Sequence, residues 1–115
     1  MAAHVRLRVL LGIAALLTIL ATFQDPIIRQ VWWLPPSISA ITVYPLIVVT
    51  ERTTREPYFD CTVAHENLHW QEIRREGAVT WYARYWLLRP WYSPLTHPME
   101  IEALAVGDNC VRERG

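Results

Sequence analysis

The most constraining feature of this 115-residue chain is an apolar run near its start, from Val9 to Phe23. As a helix this run spans roughly 22 Å, short of the ~30 Å hydrocarbon core of a bilayer. Three interpretations follow: an uncleaved membrane anchor, a cleaved signal peptide, or a helix packed in the core of a soluble domain. No Ala-x-Ala cleavage site is evident near Ala21, which favours the anchor. Because Arg6 and Arg8 precede the run, an inserted helix would keep them cytoplasmic and place the rest of the chain outside.

The composition is that of a single folded domain. Hydrophobic residues make up 52% and charged residues 19%, which excludes a disordered, solvating chain. Eleven basic and eleven acidic residues cancel, so no positive excess is available to bind nucleic acid. Two cysteines are too few for a disulfide scaffold or an all-cysteine zinc site. These observations leave a small domain that follows an N-terminal anchor or signal segment, residues 1–24.

Beyond the first segment, the pattern predicts two short strands and then three helices, an α+β arrangement. Alternating, β-branched residues predict a strand over Ile38–Tyr44 and a shorter one over Leu46–Val49. Pro45 lies between them and suits an edge or a bulge. The predicted helices are Cys61–Glu76, with Asp60 as N-cap and Gly77 as its end; Val79–Arg89; and Pro98 to about Arg112.

The chemistry is carried by the motif His65-Glu66-Asn67-Leu68-His69. Positions i and i+4 share a helix face, so the two imidazoles can converge on one metal ion. Glu66 points about 100° away from His65, which suits it to act as a base beside a zinc-bound water. The alternative is a pair of solvated histidines on a surface helix.

A catalytic zinc of this kind needs a third protein ligand, and the last predicted helix offers Glu100 and Glu102. Glu100 shares a stripe with Ala103 and Gly107, whose small side chains allow close approach to the motif helix. The backbone argument therefore favours Glu100. A set of two His and one Glu also accepts divalent metals other than zinc.

The two segments His65–His69 and Glu100–Ala103 resemble the pattern of the gluzincin metallopeptidases, H-E-x-x-H on one helix and E-x-x-A on a later one. The chain is similar in particular to the minimal, minigluzincin-like members, over about Ile38 to Arg112. Many gluzincins place Asp directly after the Ala, where this chain has Leu104. That difference removes a partner for a zinc-binding histidine.

The resemblance implies a zincin-like metallopeptidase domain over residues 31–115, with short edge strands, the motif helix and a glutamate helix. It implies Zn²⁺ on His65, His69 and Glu100, with Glu66 as the general base that helps hydrolyse a peptide or protein substrate. The strand ending near Tyr44 or Val49 is the expected substrate edge, the alternative being a plain core strand. The alternative is a non-catalytic, membrane-attached protein of this fold that binds or regulates a partner.

Other residues have plain interpretations. His97 is expected to be a loop histidine without a role, the alternatives being a metal ligand or an oxyanion donor. An aromatic block is expected to pack over the motif helix, the alternative being a belt at a membrane surface. The block consists of Trp81, Tyr82, Tyr85, Trp86 and Trp91.

The two cysteines depend on how the helices pack. Cys61 lies one turn before His65, and Cys110 lies on the stripe of Ala103 and Gly107. Antiparallel packing would bring the sulfurs to the same end, where an oxidising compartment would allow a bond. The sequence slightly favours two free buried cysteines, and the Cys61–Cys110 disulfide is the competing hypothesis.

Overall fold

The computed structural model describes residues 2–114 and shows an α+β domain preceded by an apolar N-terminal helix. The ends of the two predicted segments, residues 1 and 115, lie outside the described residues. The elements in chain order are α1 Ala2–Ala21, β1 Ile27–Val31, β2 Ala40–Val43, β3 Leu46–Thr50, α2 Glu51–Thr54, α3 Phe59–Glu76, α4 Ala78–Leu88, a 3₁₀ turn Arg89–Trp91 and α5 Pro98–Arg114.

Helix α1 is longer than the apolar run because it continues through Arg6 and Arg8 to Ala2. Its 20 residues span roughly 30 Å, which is the thickness of a bilayer's hydrocarbon core. The apolar window Ala2–Leu20 is not buried against the rest of the protein. The helix is therefore long and apolar enough to cross a membrane, and it does not contribute to the core of the domain. Its last turn meets the sheet where the Tyr44 hydroxyl donates to the Leu20 carbonyl, at 2.5 Å.

The sheet has three strands in the order β1-β3-β2, with β1 parallel and β2 antiparallel to β3. The predicted strands are confirmed as β2 and β3, and Pro45 lies outside both, in the turn that joins them. Strand β1 was not predicted. Its three central residues are exposed, so Ile27–Val31 has no apolar alternation to reveal it. Because β3 is central, β2 is the edge strand that faces the helices.

The core forms where α3 crosses the sheet. Trp70 packs against Ile47 and Val49, all three fully buried or nearly so, and its indole N–H donates to the Pro45 carbonyl at 2.9 Å. Gly77 ends α3 as predicted, with φ at +95°, a conformation that favours glycine.

The predicted N-cap of α3 is wrong. The helix begins at Phe59, and Tyr58 occupies the cap position without a side-chain hydrogen bond. Asp60 instead lies in the first turn, where its carboxylate pairs with the guanidinium of Arg114 at the end of α5. An acidic group is favoured there by the positive end of the helix dipole.

Helices α3 and α5 pack antiparallel and are joined covalently by a Cys61–Cys110 disulfide. The expectation of two free cysteines is therefore wrong. Antiparallel packing places both sulfurs at the same end of the helix pair, and the two Cα atoms are 5.4 Å apart. Gly107 faces α3 here: a Cβ at this position would lie 3.8 Å from the Cβ of His65. The small-residue stripe on α5 gives the close approach that the sequence predicted.

Candidate metal centre

Three side chains converge between α3 and α5. His65 and His69 extend from one face of α3, and Glu100 reaches them from the first turn of α5. One carboxylate oxygen, Oε2, lies 3.0 Å from His65 Nε2, and the other, Oε1, lies 3.0 Å from His69 Nε2. The three ligand atoms lie within 4.8 Å of one another. Glu102 is exposed and outside this group, so the structure brings together the three residues that the spacing selected.

The donor set fits a metal ion. His69 is only 3% exposed, and its Nδ1 lies 3.1 Å from Glu72 Oε1, which orients the ring with Nε2 towards Glu100. Within residues 2–114, Nε2 has no partner with hydrogen-bond geometry, although the Glu100 oxygen is close. A buried ring nitrogen without a well-aligned donor or acceptor is costly unless a ligand uses its lone pair. A divalent cation held by two imidazoles and one carboxylate would do so.

The charges of the site favour the deprotonated carboxylate. Burial alone would raise the pKa of Glu100, but the hydrogen bond with His65 and the nearby His69 imidazole outweigh it and lower the pKa to about 2. Burial opposes protonation of His69, yet the nearby Glu100 and Glu66 carboxylates leave its pKa raised. Before a cation binds, these carboxylates therefore favour a proton on His69. A metal ion would displace that proton and take over its role.

Glu66 lies beside this group and is held by the sheet. The Thr42 hydroxyl lies 2.7 Å from Glu66 Oε2 and 2.9 Å from the Glu66 carbonyl, and its single proton can serve only one of them at a time. The other carboxylate oxygen, Oε1, has no partner among residues 2–114. Burial raises the pKa of Glu66, against the hydrogen bond from Thr42 and the nearby histidines. Glu66 is thus a fixed carboxylate with raised basicity and one free oxygen.

A cavity of about 910 Å³ opens over the group. Its walls come from β2 and the segment before it, from α3, from the aromatic face of α4 and from α5. The two candidate substrate edges are now distinguished: the strand before Tyr44 is the edge strand β2, which lines the cavity through Ala40–Thr42, whereas Val49 belongs to the central strand β3.

The aromatic block divides into a packed part and an exposed part. Trp81 stacks on Tyr85 at 5.2 Å and meets the His69 ring edge to face, also at 5.2 Å. Trp86 and Trp91 are 61% and 79% exposed, so the expected packing over the motif helix holds only for the first turns of α4.

The two tyrosines of the packed part have different environments. The Tyr82 hydroxyl donates to the Thr42 carbonyl at 2.8 Å and accepts from the Tyr44 N–H at 3.0 Å. Its proton is therefore used by a main-chain group of β2. Burial and the charge of Glu100 raise the pKa of Tyr85 to about 12. Tyr85 therefore faces the candidate metal ligands His65, His69 and Glu100 as a neutral hydroxyl. Of these two tyrosines, only Tyr85 has a hydroxyl proton that is not already donated to a main-chain carbonyl of the sheet.

Sequence reasoning missed two residues of the site, Glu72 and Thr42, and did not foresee the contacts of a third, His97. Glu72 follows His69 at i+3 on the same helix, a spacing that could have indicated a partner for the imidazole. It supplies from α3 the carboxylate that Leu104 does not supply from α5. Thr42 gave no signal beyond a strand position. His97 lies in the loop before α5, as expected, but it is fully buried and hydrogen-bonded through both ring nitrogens.

Comparisons with protein-family models, with curated proteins and with solved structures return no match for this chain. Its similarity to the gluzincins therefore consists of the two motifs, and its function has to be argued from the geometry of the site.

Proposed function

We propose that this protein is a zinc-dependent peptidase of the gluzincin type. The observation that carries the proposal is the arrangement of His65, His69 and Glu100 around one point, with the free oxygen of Glu66 beside it. Two imidazoles and one carboxylate are the ligand set of catalytic zinc sites that keep a position open for water. A cavity in front of the group gives a substrate access to it.

Zinc bound at these residues would lower the pKa of a water molecule and polarise a carbonyl group. The chain's own residues supply the rest of the chemistry. Glu66 accepts a proton at Oε1 and later donates it to the departing amine, while the Thr42 hydroxyl fixes Oε2. Glu72 holds His69 in the tautomer whose Nε2 lone pair faces the group. Tyr85 remains protonated and can donate to a developing oxyanion.

The free edge of β2 is the proposed binding surface for an extended peptide. The Thr50 N–H of β3 donates to the Ser39 carbonyl, and Ile41 is paired with Val48, so Ser39 and Ile41 direct their main-chain groups towards β3. Because this direction alternates along a strand, the main-chain groups of Ala40 and Thr42 point to the free edge of the sheet. Tyr82 already occupies the Thr42 carbonyl and the next outward N–H. A substrate strand would therefore pair with Ala40 and with the Thr42 N–H. The substrate is a peptide or protein segment in extended form.

We further propose that α1 anchors the protein in a membrane and that the domain lies outside the cytoplasm. The length and exposure of α1 support the anchor. The Cys61–Cys110 bond supports export, since structural disulfides persist in oxidising compartments. A reporter fused after Arg114 is expected to be active only when exported. Activity of a cytoplasmic reporter, with the protein in the soluble fraction, would contradict this topology.

The central experiment uses the full chain in detergent. We expect one zinc per chain and hydrolysis of a mixed peptide library. His65→Ala should remove both zinc and activity, whereas Glu66→Gln should keep zinc and abolish hydrolysis. Glu102→Gln is the matched control on α5 and should change neither. Absence of stoichiometric zinc, or undiminished hydrolysis in Glu66→Gln, would overturn the proposal.

The competing function is that of a non-catalytic, membrane-attached protein of this fold that binds or regulates a partner. The observation that favours it is the length of β2, whose four residues offer few main-chain pairs to a substrate. In that case Glu66→Gln would leave both metal and partner binding unchanged, and the wild-type protein would release no product from the peptide library.

A further inference from the structure

His97 is the most completely enclosed polar side chain near the proposed metal group, with no exposed surface. Its Nε2–H donates to the Tyr85 carbonyl at 2.9 Å, and its Nδ1 accepts from the Met99 N–H at 3.0 Å. The imidazole also stacks on the Tyr85 ring, with centroids 4.2 Å apart and planes 15° from parallel. Both nitrogens are thus committed to backbone groups, which excludes His97 as a metal ligand in this conformation.

These contacts join two helices. His97 directly precedes Pro98, the first residue of α5, and the Met99 N–H is one of the donors that a helix start leaves without an intrahelical partner. The Tyr85 carbonyl belongs to the last turn of α4. One imidazole therefore caps the beginning of α5 and fixes it to the end of α4.

The glutamate ligand lies in the turn that His97 caps. The Glu100 N–H donates to the His97 carbonyl at 2.9 Å, three residues along the chain, or roughly 4.5 Å along the helix axis. The covalent link of α5, the disulfide at Cys110, is roughly 15 Å away. A displacement of the first turn of α5 would move the Glu100 carboxylate, and the disulfide is too distant to prevent it.

We propose that His97 is a positioning residue for Glu100 and thereby sets the affinity of the metal group. This inference rests on the proposed function, because it takes His65, His69 and Glu100 as metal ligands. The aromatic contacts support it: Tyr85, on which His97 stacks, itself stacks on Trp81, and Trp81 contacts the His69 ring. This row of stacked rings thus connects the start of α5 to His69 of α3.

The test separates the two hydrogen bonds of His97 in the full chain. In His97→Asn, a side-chain oxygen can still cap the Met99 N–H, since Asn is a preferred N-cap residue. In His97→Gln the longer amide can reach the Tyr85 carbonyl but not the cap, and His97→Ala loses both bonds. His4→Asn, on exposed α1, is the matched control. Zinc affinity is measured by competition with a chelator, and the visible spectrum of the Co²⁺-loaded protein reports the ligand geometry.

We expect His97→Ala to weaken zinc binding roughly 10- to 100-fold, as loss of groups that orient metal ligands generally does. His97→Asn should recover most of this loss together with the wild-type Co²⁺ spectrum, and His4→Asn should have no effect. If His97→Ala fails to fold, the Asn and Gln variants decide: equal affinities would overturn the inference. Wild-type affinity and spectrum in a folded His97→Ala would overturn it while leaving the proposed function intact. A wild-type protein that binds no zinc would overturn both.

Discussion

Helices α4 and α5 both pack on α3, but they do so in opposite ways. Helix α5 approaches through Ala103 and Gly107, which have almost no side chain, and a disulfide holds it there. Helix α4 is kept at a distance by Trp81 and Tyr85, whose rings fill the space against α3 and the start of α5. Close packing on one side brings a carboxylate of α5 to the two histidines. Wide packing on the other side leaves room for the cavity.

The difference shows how a domain this small can hold both a ligand set and an opening. Small residues allow the two helix backbones to approach closely, and this brings the side chains of His65, His69 and Glu100 within reach of one another. Aromatic side chains provide large apolar contact areas without bringing the backbones together. We therefore expect changes on the α5 side to affect both stability and metal binding, and a change at Tyr82, which joins α4 to β2, to affect mainly β2 and the cavity.

The largest effect is expected from breaking the covalent link of α5. Replacing Cys61 and Cys110 together by Ala should lower the free energy of unfolding by about 4 kcal/mol, because the bond closes a loop with a sequence separation of 49 residues in the unfolded chain. Urea denaturation of the full chain measures this. Val111→Ala, at the exposed neighbour of Cys110, is the control and should change little. A loss below about 1 kcal/mol would mean that packing alone holds α5.

The next effect concerns the charges between α3 and α5 in the metal-free protein. The pKa of Glu100 is lowered from 4.5 to about 2, so the stability it contributes is complete above pH 4.5 and is lost as the pH falls towards 2. The pKa of His69 is raised above 6.5, so its contribution is complete below pH 6.5 and is lost as the pH rises through the folded-state pKa. From these two groups stability should be greatest between pH 4.5 and 6.5, and the raised pKa of Glu66, whose contribution is lost as the pH rises above 4.5, should move the maximum towards the lower end of this range.

Urea denaturation across pH, in the presence of a chelator, measures this profile. In Glu100→Gln the loss of stability below pH 4.5 should disappear. The loss of stability at higher pH should become smaller, and part of it should remain because burial raises the pKa of Glu66. Glu102→Gln should keep the wild-type profile. An unchanged profile in Glu100→Gln would show that the α3–α5 charges do not determine the pH dependence.

A smaller effect is expected from filling the contact at Gly107. A Cβ there would lie 3.8 Å from His65 Cβ, an ordinary contact, so Gly107→Ala should be tolerated. Gly107→Leu adds volume that the interface cannot hold and should cost about 1–3 kcal/mol, with weaker zinc binding as α5 moves away. Thermal unfolding and chelator competition measure the two effects. Gly12→Leu on α1 is the control: a Cβ at this position would meet no atom of another part of the protein within 4 Å, so zinc binding should not change. Full zinc affinity in Gly107→Leu would show that the metal site does not need the close approach of α5 to α3.

The sequence predicted the α5 side better than the α4 side, for a physical reason. The spacing of His65 and His69 and the stripe of Glu100, Ala103 and Gly107 are helical periodicities, so the ligand group and the close approach followed from them. The disulfide depended on the helices being antiparallel, which no local pattern determines. On the α4 side, any large aromatic side chain can fill space, so the sequence did not separate the packed Trp81 from the exposed Trp86.

Strand β1 and the helix caps also depend on contacts that no local sequence pattern determines. A strand with solvent on three central residues carries no apolar signal, and its partner β3 lies about twenty residues along the chain. Asp60 had the right residue type and nearly the right place for an N-cap, yet its pairing with Arg114 depends on the far end of α5. Likewise, His97 acquires its hydrogen bond to the Tyr85 carbonyl only when α4 and α5 meet. Contacts between distant segments decided each of these cases.

The smallest effect is expected on the α4 side, where Tyr82 joins that helix to the edge strand. Tyr82→Phe removes one hydroxyl that serves both the Thr42 carbonyl and the Tyr44 N–H, and should cost about 1–2 kcal/mol in the free energy of unfolding. Zinc affinity should stay unchanged, because the ligand residues belong to α3 and α5. Tyr58→Phe, at an exposed tyrosine that lines the same cavity, is the matched control and should have little effect on either quantity. Urea denaturation and chelator competition on the same samples test the comparison directly: loss of zinc affinity in Tyr82→Phe would show that α4 also fixes the ligand geometry through β2 and Glu66.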